Sequence, residues 1–215
     1  MPRPPFLMLD FDGVVCDTER AALLAWQDLY DRLGVPLSAE VRAGMLGNSA
    51  GARVALADLA DRLGRPVEDG EWAWQRQRRT TRCAAAPARP GVDRLLRTAE
   101  GAAIVSSSPA AWVEEHLRRL GLRHHFAFLV TGDDTDRHKP EPDLYLLALE
   151  RAGVGADSAL AVEDSPRGVR AAQAAGLRCV AVPWEPAGAP GLAGADAVLP
   201  SLNELDLLSY RPDEV

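Results

Sequence analysis

Two aspartates follow a short apolar segment near the beginning of the chain. The apolar run at residues 6–9 is typical of a buried β-strand, and Asp10 and Asp12 come directly after it. Side chains two positions apart on an extended chain point to the same side, so these carboxylates would repel each other unless a cation or a shared proton offset their charge. A simple turn closed by Gly13 would use the same residue types. We favour a chemical role, because uncompensated charge beside a buried strand is costly.

Later segments place further polar groups at the ends of predicted strands or in the loops beyond them. The groups selected in this way are Ser106, Ser107, Lys139, Glu163 and Asp164. Because ligands of open parallel sheets bind at the carboxyl ends of the strands, we expect these groups and the two aspartates to share one site. Ser108 follows the same strand as Ser106, and we expect it to serve as the N-cap of the next helix.

The choice of lysine at position 139 is informative. Of the 24 basic residues, Lys139 is the single lysine and all the others are arginine. A compact ammonium on a flexible stem suits a phosphate oxygen crowded by carboxylates better than a wide, planar guanidinium does. The alternative is an ordinary surface lysine. We interpret Lys139 as a site residue that needs an ammonium group.

The carboxylates of the predicted site are suited to a hard divalent cation. Asp10 and Asp164 could hold Mg²⁺ together with substrate oxygens and water, since this ion prefers a few carboxylates and retains part of its hydration shell. Glu163 could bind the ion directly or through water, or could be a solvated charge at the end of a strand. The sequence therefore predicts a magnesium site.

Composition limits the classes of partner. The 215-residue chain carries a net charge of -7 and has a pI near 5.1, without a basic block, so a nucleic-acid partner is not expected. No apolar run approaches the roughly 20 residues of a membrane-spanning helix. The first residues lead directly into a predicted strand rather than a signal sequence, and we expect a cytoplasmic protein without a membrane partner.

The cysteines and histidines do not have the spacing of metal ligands. The cysteines, Cys16, Cys83 and Cys179, are odd in number, and we expect them to be buried fillers in a reducing compartment. The histidines are His116, His124, His125 and His138. We expect these four side chains on the surface or in loops.

The order of the apolar runs predicts an α/β fold built on a doubly wound parallel sheet. The six predicted strands lie at 6–9, 102–105, 127–130, 159–162, 179–182 and 197–199. About ninety residues separate the first two strands, with helical patterns near 18–33, 38–45, 50–63 and 70–83. We therefore expect a Rossmann-like catalytic core, residues 1–16 and 88–215, with a helical cap at 17–87 inserted after the first strand.

Four motifs in the expected order resemble those of the haloacid dehalogenase superfamily of phosphohydrolases. The resemblance is to its branch with a small helical cap, the C1 branch, which includes phosphatases and β-phosphoglucomutases. The motifs are Asp10-Phe11-Asp12-Gly13, Ser106, Lys139 with Pro140, and Glu163-Asp164-Ser165 with Gly168. Each motif alone is weak, but their conjunction is specific and spans essentially the whole chain.

The resemblance implies a role for each motif. Asp10 would be the nucleophile that forms an aspartyl-phosphate, and Asp12 would protonate the leaving oxygen and then activate water. Together with Ser106 and Lys139 they form the predicted catalytic set. Phosphate contacts are predicted for Phe11, Asp12, Ser106, Ser107 and Lys139, and metal contacts for Asp10, Glu163, Asp164 and the backbone carbonyl of Asp12.

The predicted function is a Mg²⁺-dependent phosphatase acting on a small phosphorylated metabolite, such as a sugar phosphate, as a monomer or weak homodimer. The first alternative is a sugar-phosphate mutase of the β-phosphoglucomutase type. Ala22 stands where those mutases carry a histidine, and Gly47-Asn48-Ser49-Ala50 stands where they carry an arginine-containing loop. A remote alternative is a non-catalytic, phospho-accepting or binding protein. Hydrolysis is favoured because this cap lacks the polar groups that would hold a bisphosphate.

Overall fold

The computed structural model describes residues 4–45, 50–185 and 191–210. Its strands are β1 (Phe6–Leu9), β2 (Ala102–Val105), β3 (Phe128–Val130), β4 (Ala159–Glu163), β5 (Arg178–Ala181) and β6 (Ala197–Val198). They form a six-stranded parallel sheet in the order β3-β2-β1-β4-β5-β6. The predicted fold class is confirmed, and each predicted strand lies within one residue of its observed bounds.

Eight helices connect or flank these strands in the described part of the chain. They are α1 (Thr18–Arg32), α2 (Ala39–Met45), α3 (Gly51–Leu63), α4 (Asp69–Ala84), α5 (Val92–Thr98), α6 (Ala110–Arg119), α7 (Asp143–Ala152) and α8 (Pro166–Ala174). Gly64 ends α3 in the left-handed conformation, with φ of 66°, which glycine adopts without steric cost. At the start of α4 the Glu71 carboxylate accepts a hydrogen bond from the Glu68 N–H at 2.8 Å. Every described helix is too short or too polar to cross a lipid bilayer.

Both faces of the sheet are covered by apolar clusters. Leu7 and Leu9 of β1 contribute to the cluster on one face, and Met8 contributes to the cluster on the other. This alternation follows from the geometry of a strand, in which successive side chains point to opposite faces. The three cysteines are free and buried, as predicted. The sheet is therefore a rigid support for groups that lie beyond its carboxyl edge.

Helices α1 to α4 pack mainly around an apolar cluster of their own. Tyr30 of α1 and Leu59 of α3 are fully buried in this cluster. Asp28 of α1 forms ion pairs with two residues of α4, Arg78 at 2.9 Å and Arg82 at 2.7 Å. These helices can therefore cohere as a unit beside the sheet, and the division into a core and a cap at residues 17–87 stays a prediction.

Two short segments connect the helical unit to the sheet, and they lie side by side. The Asp17 N–H donates to the Pro87 carbonyl at 2.9 Å, and the Arg89 N–H donates to the Val15 carbonyl at 2.9 Å. The chain thus leaves the sheet and returns to it at the same place. The loop at residues 47–49, which bears on the mutase alternative, lies outside the described residues.

Candidate active site

The predicted site residues lie at the carboxyl edge of the middle strands. Asp10 follows β1, Ser106 follows β2, and Glu163 is the last residue of β4. Because β1 is hydrogen-bonded to both β2 and β4, these residues are brought together by the register of three neighbouring strands. Lys139 reaches the same place from the loop after β3, where it lies against Asp10 and Glu163.

Lys139 links the two acidic strand ends. The residue is 5% exposed, and its ammonium donates to Asp10 Oδ1, Glu163 Oε1 and the Val105 carbonyl, each at 2.6 Å. Burial opposes the charged form, but the adjacent carboxylates of Asp10 and Glu163 outweigh it and raise the pKa of Lys139 above its usual value. Arg167 donates to the Lys139 carbonyl and so holds the backbone of this loop. The ammonium is therefore a fixed positive charge inside the site.

The two carboxylates that contact Lys139 form a cluster with a third, that of Asp164. Asp10, Glu163 and Asp164 have oxygens that all lie within 4.8 Å of one another. Burial raises the pKa of Asp10 to about 8, although the neighbouring Lys139 opposes this shift. Burial, with the negative charge of Asp10, raises the pKa of Asp164 well above its usual value. When all three are ionised, the cluster carries an excess of two negative charges, which is the charge that a divalent cation neutralises.

The oxygens of Glu163 have different surroundings. Its side chain is fully buried, and Oε1 accepts hydrogen bonds from Lys139 and from the Tyr145 hydroxyl, both at 2.6 Å. Oε2 is buried and has no hydrogen-bond partner among the described residues. Gly168 makes room for this carboxylate, because a Cβ at that position would overlap it. An unsatisfied oxygen in an all-oxygen donor set fits a hard divalent cation.

The Asp12 carboxylate is held by three donors. Oδ1 accepts from the Thr18 hydroxyl at 2.7 Å and from the Trp112 indole N–H at 3.1 Å, and Oδ2 accepts from the Ser108 hydroxyl at 2.6 Å. Gly13 lies beside it with φ of 82°, where a Cβ would overlap the Asp164 carboxylate. The first acidic motif thus needs glycine for both backbone conformation and space.

The serines after β2 have three different environments. Ser106 is 2% exposed, and its hydroxyl accepts from the Ser108 N–H at 3.1 Å. The Ser107 hydroxyl is buried and has no hydrogen-bond partner among the described residues. The prediction that Ser108 caps α6 is wrong: its hydroxyl binds Asp12, and the Ala110 N–H at the start of α6 donates instead to Asp133 at 2.8 Å. The residue directly before α6 is Pro109, so Ser108 lies one position too early to serve as its N-cap.

Phe11 differs from the other predicted phosphate-binding residues. Its side chain is fully buried in the core, and its ring makes an edge-on contact with His116 at 5.9 Å between centroids. A phosphate contact at Phe11 would therefore come from its backbone. The prediction of a surface or loop position for His116 is wrong, since this residue is 2% exposed in α6.

Several residues at the site were not selected from the sequence. They are Thr18, Ser108 and Trp112 on Asp12, Tyr145 on Glu163, and Glu19 at the start of α1. Burial and the nearby charge of Asp12 raise the pKa of Glu19, and Arg79 opposes this. Thr18 and Glu19 lie only a few residues after the first motif, and this closeness in sequence is a signal that could have been used. Tyr145 and Trp112 have no comparable signal, because their side chains reach the site only through the packing of α7 and α6.

Comparison with known proteins indicates the same family that the sequence motifs resemble, and it does so along most of the chain. Residues 7–182 match the family model described as haloacid dehalogenase-like hydrolase. The protein YhcW of Bacillus subtilis is 35% identical over 206 residues, which cover 94% of this chain and 93% of that protein. Fructose-1-phosphate phosphatase YqaB of Escherichia coli is 30% identical over 182 residues, which cover 82% of this chain and 95% of that protein.

A solved structure supports the fold. A haloacid dehalogenase-like protein of unknown function from Agrobacterium tumefaciens superimposes with a TM-score of 0.76 at 25% identity, and the alignment covers 93% of this chain and 95% of that one. The predicted enzyme class, a phosphoric monoester hydrolase of the haloacid dehalogenase type, is confirmed by the family match together with relatives named phosphatases. The motifs, the sheet order and these matches agree, and the chain belongs to the haloacid dehalogenase-like hydrolase family.

Proposed function

We propose that this protein is a Mg²⁺-dependent phosphatase that hydrolyses the phosphomonoester of a small metabolite through an aspartyl-phosphate on Asp10. The observation that carries the proposal is the setting of Asp10 and Asp12. Asp10 lies against a buried ammonium, that of Lys139, at 2.6 Å, and Asp12 is held beside it by three donors. A nucleophile, a neutralising charge and an acid–base group are the parts that are required to transfer a phosphoryl group from the phosphate ester of an alcohol.

In the first step a carboxylate oxygen of Asp10 attacks phosphorus, and the bond between phosphorus and the ester oxygen breaks. The electron pair of that bond stays on the leaving oxygen, which takes a proton from the Asp12 carboxyl and departs as an alcohol. The phosphoryl group is then bonded to Asp10 as an acyl phosphate. The second aspartate is needed here because an alkoxide is a poor leaving group unless it is protonated.

In the second step Asp12, now a carboxylate, accepts a proton from a water molecule. The water oxygen attacks phosphorus, and the bond between phosphorus and the Asp10 oxygen breaks. Inorganic phosphate leaves, Asp10 regains its carboxylate, and Asp12 is again protonated. The same residue serves in both steps because the second is close to the reverse of the first.

The remaining site groups have binding roles in this proposal. Asp10, Asp164, Glu163 and the backbone carbonyl of Asp12 would hold Mg²⁺, which when bound neutralises phosphate charge. Lys139 and Ser106 would bind phosphoryl oxygens. The buried, unpartnered hydroxyl of Ser107 is available for the same purpose. These groups act by charge and position, and losing one such stabiliser commonly costs about 100-fold or more in rate.

The helical unit at residues 17–87 would act as a cap that excludes water from the site. A lid of this kind favours small organic phosphates over phosphorylated proteins. The relative named fructose-1-phosphate phosphatase, which is similar over 82% of this chain, supports a sugar phosphate as the substrate class.

The test is release of inorganic phosphate from a panel of sugar phosphates, phosphoglycolate and other small phosphomonoesters. Each substrate is assayed with Mg²⁺ and with EDTA, using the wild type, Asp10→Asn and the matched control Asp61→Asn. Asp61 lies exposed on α3, within the helical unit. We expect Mg²⁺-dependent turnover that is lost in D10N and retained in D61N, with both variants folded by circular dichroism.

Other outcomes would redirect the assignment. Turnover by D10N at the wild-type rate would exclude Asp10 as the nucleophile. If no ester is hydrolysed but a hexose 1-phosphate is converted to the 6-phosphate, the protein is a mutase. If neither reaction occurs, the phosphatase proposal fails and a binding function remains.

A further inference from the structure

The hydrogen bonds to Asp12 distinguish its two carboxylate oxygens. Oδ1 receives the Thr18 hydroxyl and the Trp112 indole N–H, whereas Oδ2 receives only the Ser108 hydroxyl among the described residues. A hydroxyl can either donate or accept, but an indole N–H can only donate. Oδ1 is therefore an acceptor in both protonation states of Asp12. The proton of the acid form belongs on Oδ2, where Ser108 can turn to accept it.

Trp112 is held in place from its other side. Its ring lies 4.1 Å, between centroids, from the ring of His116, one turn further along α6. The ring nitrogens of His116 lie 2.9 Å from the Trp112 carbonyl and 3.0 Å from the Cys83 carbonyl near the end of α4. A ring packed in this way has little freedom to rotate. Its N–H is therefore presented to Asp12 without further loss of side-chain entropy.

We propose that Trp112 is a positioning residue for the acid–base step. Its N–H keeps Oδ1 of Asp12 as an acceptor, so that Oδ2 gives a proton to the leaving oxygen in the first step and takes one from water in the second. Trp112 does not touch the reacting atoms. The inference rests on the proposed phosphatase function, since it needs Asp12 to transfer protons. If Trp112 were only a packing residue, replacing it would change stability rather than the proton transfer.

The first test is a double-mutant cycle on a phosphomonoester with an alkyl leaving group. Trp112→Phe keeps an aromatic ring against His116 and removes the N–H donor together with part of the ring, and Asp12→Ala removes the acceptor. We expect W112F to lower kcat about tenfold, the usual scale for a hydrogen bond to a charged group, with KM changed less than about twofold. In the D12A background the same change should lower kcat less than about twofold.

A matched control is available in the helical unit. Trp74→Phe also removes an indole N–H, but Trp74 packs beneath Arg32, whose guanidinium carbon lies 4.8 Å from the ring centroid. We expect W74F to have wild-type kcat. A second contrast uses p-nitrophenyl phosphate, whose leaving group departs without a proton. W112F should slow phosphoryl transfer from this ester less than from an alkyl ester.

A spectroscopic measurement tests the contact without turnover. The indole N–H resonance of Trp112 is identified in ¹⁵N-labelled protein by its loss in W112F, and that of Trp74 by its loss in W74F. We expect the Trp112 resonance to shift in D12A and the Trp74 resonance to stay in place. An unchanged Trp112 resonance in D12A would overturn the proposal.

The kinetic outcomes separate this inference from the proposed function. If W112F lowers kcat by the same factor in the wild-type and D12A backgrounds, the positioning role is overturned while the phosphatase proposal stands. A W112F variant that loses thermal stability but keeps the wild-type kcat would also overturn the positioning role. Absence of turnover by the wild type on every ester would overturn the phosphatase and, with it, the acid–base role of Trp112.

Discussion

Removal of the Lys139 ammonium should destabilise the protein when no divalent cation is present. Lys139 is 5% exposed and contacts Asp10 and Glu163, each at 2.6 Å. At that distance each pair attracts by about 6 kcal/mol at an effective dielectric constant of 20, before desolvation is subtracted. Breaking a buried pair by removing one partner costs about 3–5 kcal/mol in other proteins. Asp10 can take up a proton in response, so we expect Lys139→Met to lower the free energy of unfolding by about 3 kcal/mol.

The assay is urea unfolding of the wild type and K139M at pH 7, first in EDTA and then with saturating Mg²⁺. The loss of unfolding free energy in K139M should be smaller with Mg²⁺. A cation bound among the remaining carboxylates supplies the missing positive charge, and its binding stabilises the folded state by mass action. Phosphatase activity should still fall by about 100-fold or more, since a positive charge aimed at the phosphoryl group is gone. Lys139→Arg should recover part of the stability but not the activity, because its planar guanidinium has a different shape.

The control is Arg97→Met, which removes a cation from the exposed pair with Asp93, whose side chains are both 60% exposed. Exposed pairs contribute little, so the change in unfolding free energy should be within about 0.5 kcal/mol. Stability of K139M within about 1 kcal/mol of the wild type in EDTA would refute the reasoning, because the buried carboxylates would then not depend on Lys139.

Two further substitutions test local features of the structure. Gly13→Ala should abolish most activity and lower the melting temperature, because the new Cβ would overlap the Asp164 carboxylate at a φ of 82°; wild-type activity in this variant would contradict that geometry. Hydrogen bonds from Arg82 and Arg78 hold the pKa of Asp28 below its usual value. Since the folded-state pKa is the lower one, this stabilisation is present above about pH 4 and is lost as the pH falls through the folded-state value. Asp28→Asn should therefore cost about 1 kcal/mol in urea unfolding at pH 7 and less at pH 3, and an equal cost at both pH values would exclude an ionic origin.

Much of the fold could be predicted because its signals are local. The apolar run at 6–9 and the helical pattern near 50–63 are features of adjacent residues, and they correspond to β1 and to α3. The meeting of Asp10, Lys139 and Glu163 could also be anticipated, since the carboxyl ends of parallel strands and the loops beyond them lie at one edge of a sheet. Their chemical roles stay predictions until the variants are assayed.

The errors and omissions concern side chains whose partners are distant in sequence. Ser108 has the residue type and position of a helix cap, but its hydroxyl donates to Asp12, 96 residues earlier, and Asp133 accepts the N–H at the start of α6. His116 was expected near the surface, but it lies between Trp112 and the carbonyl of Cys83, 33 residues away. Neither contact has a signal in the residues adjacent to it in the sequence.

The sequence by itself determined the succession of strands and helices along the chain, the polar groups that follow the strands, and the single lysine among arginines. These depend on periodicity, turn residues and residue type, which act over short distances along the chain. Only the tertiary structure decided that Lys139 is shared between two carboxylates, that one oxygen of Glu163 is left unpaired, and that Trp112 donates to Asp12. Such contacts depend on how α6, α7 and the sheet pack together, because hydrogen bonds need positions accurate to a few tenths of an ångström.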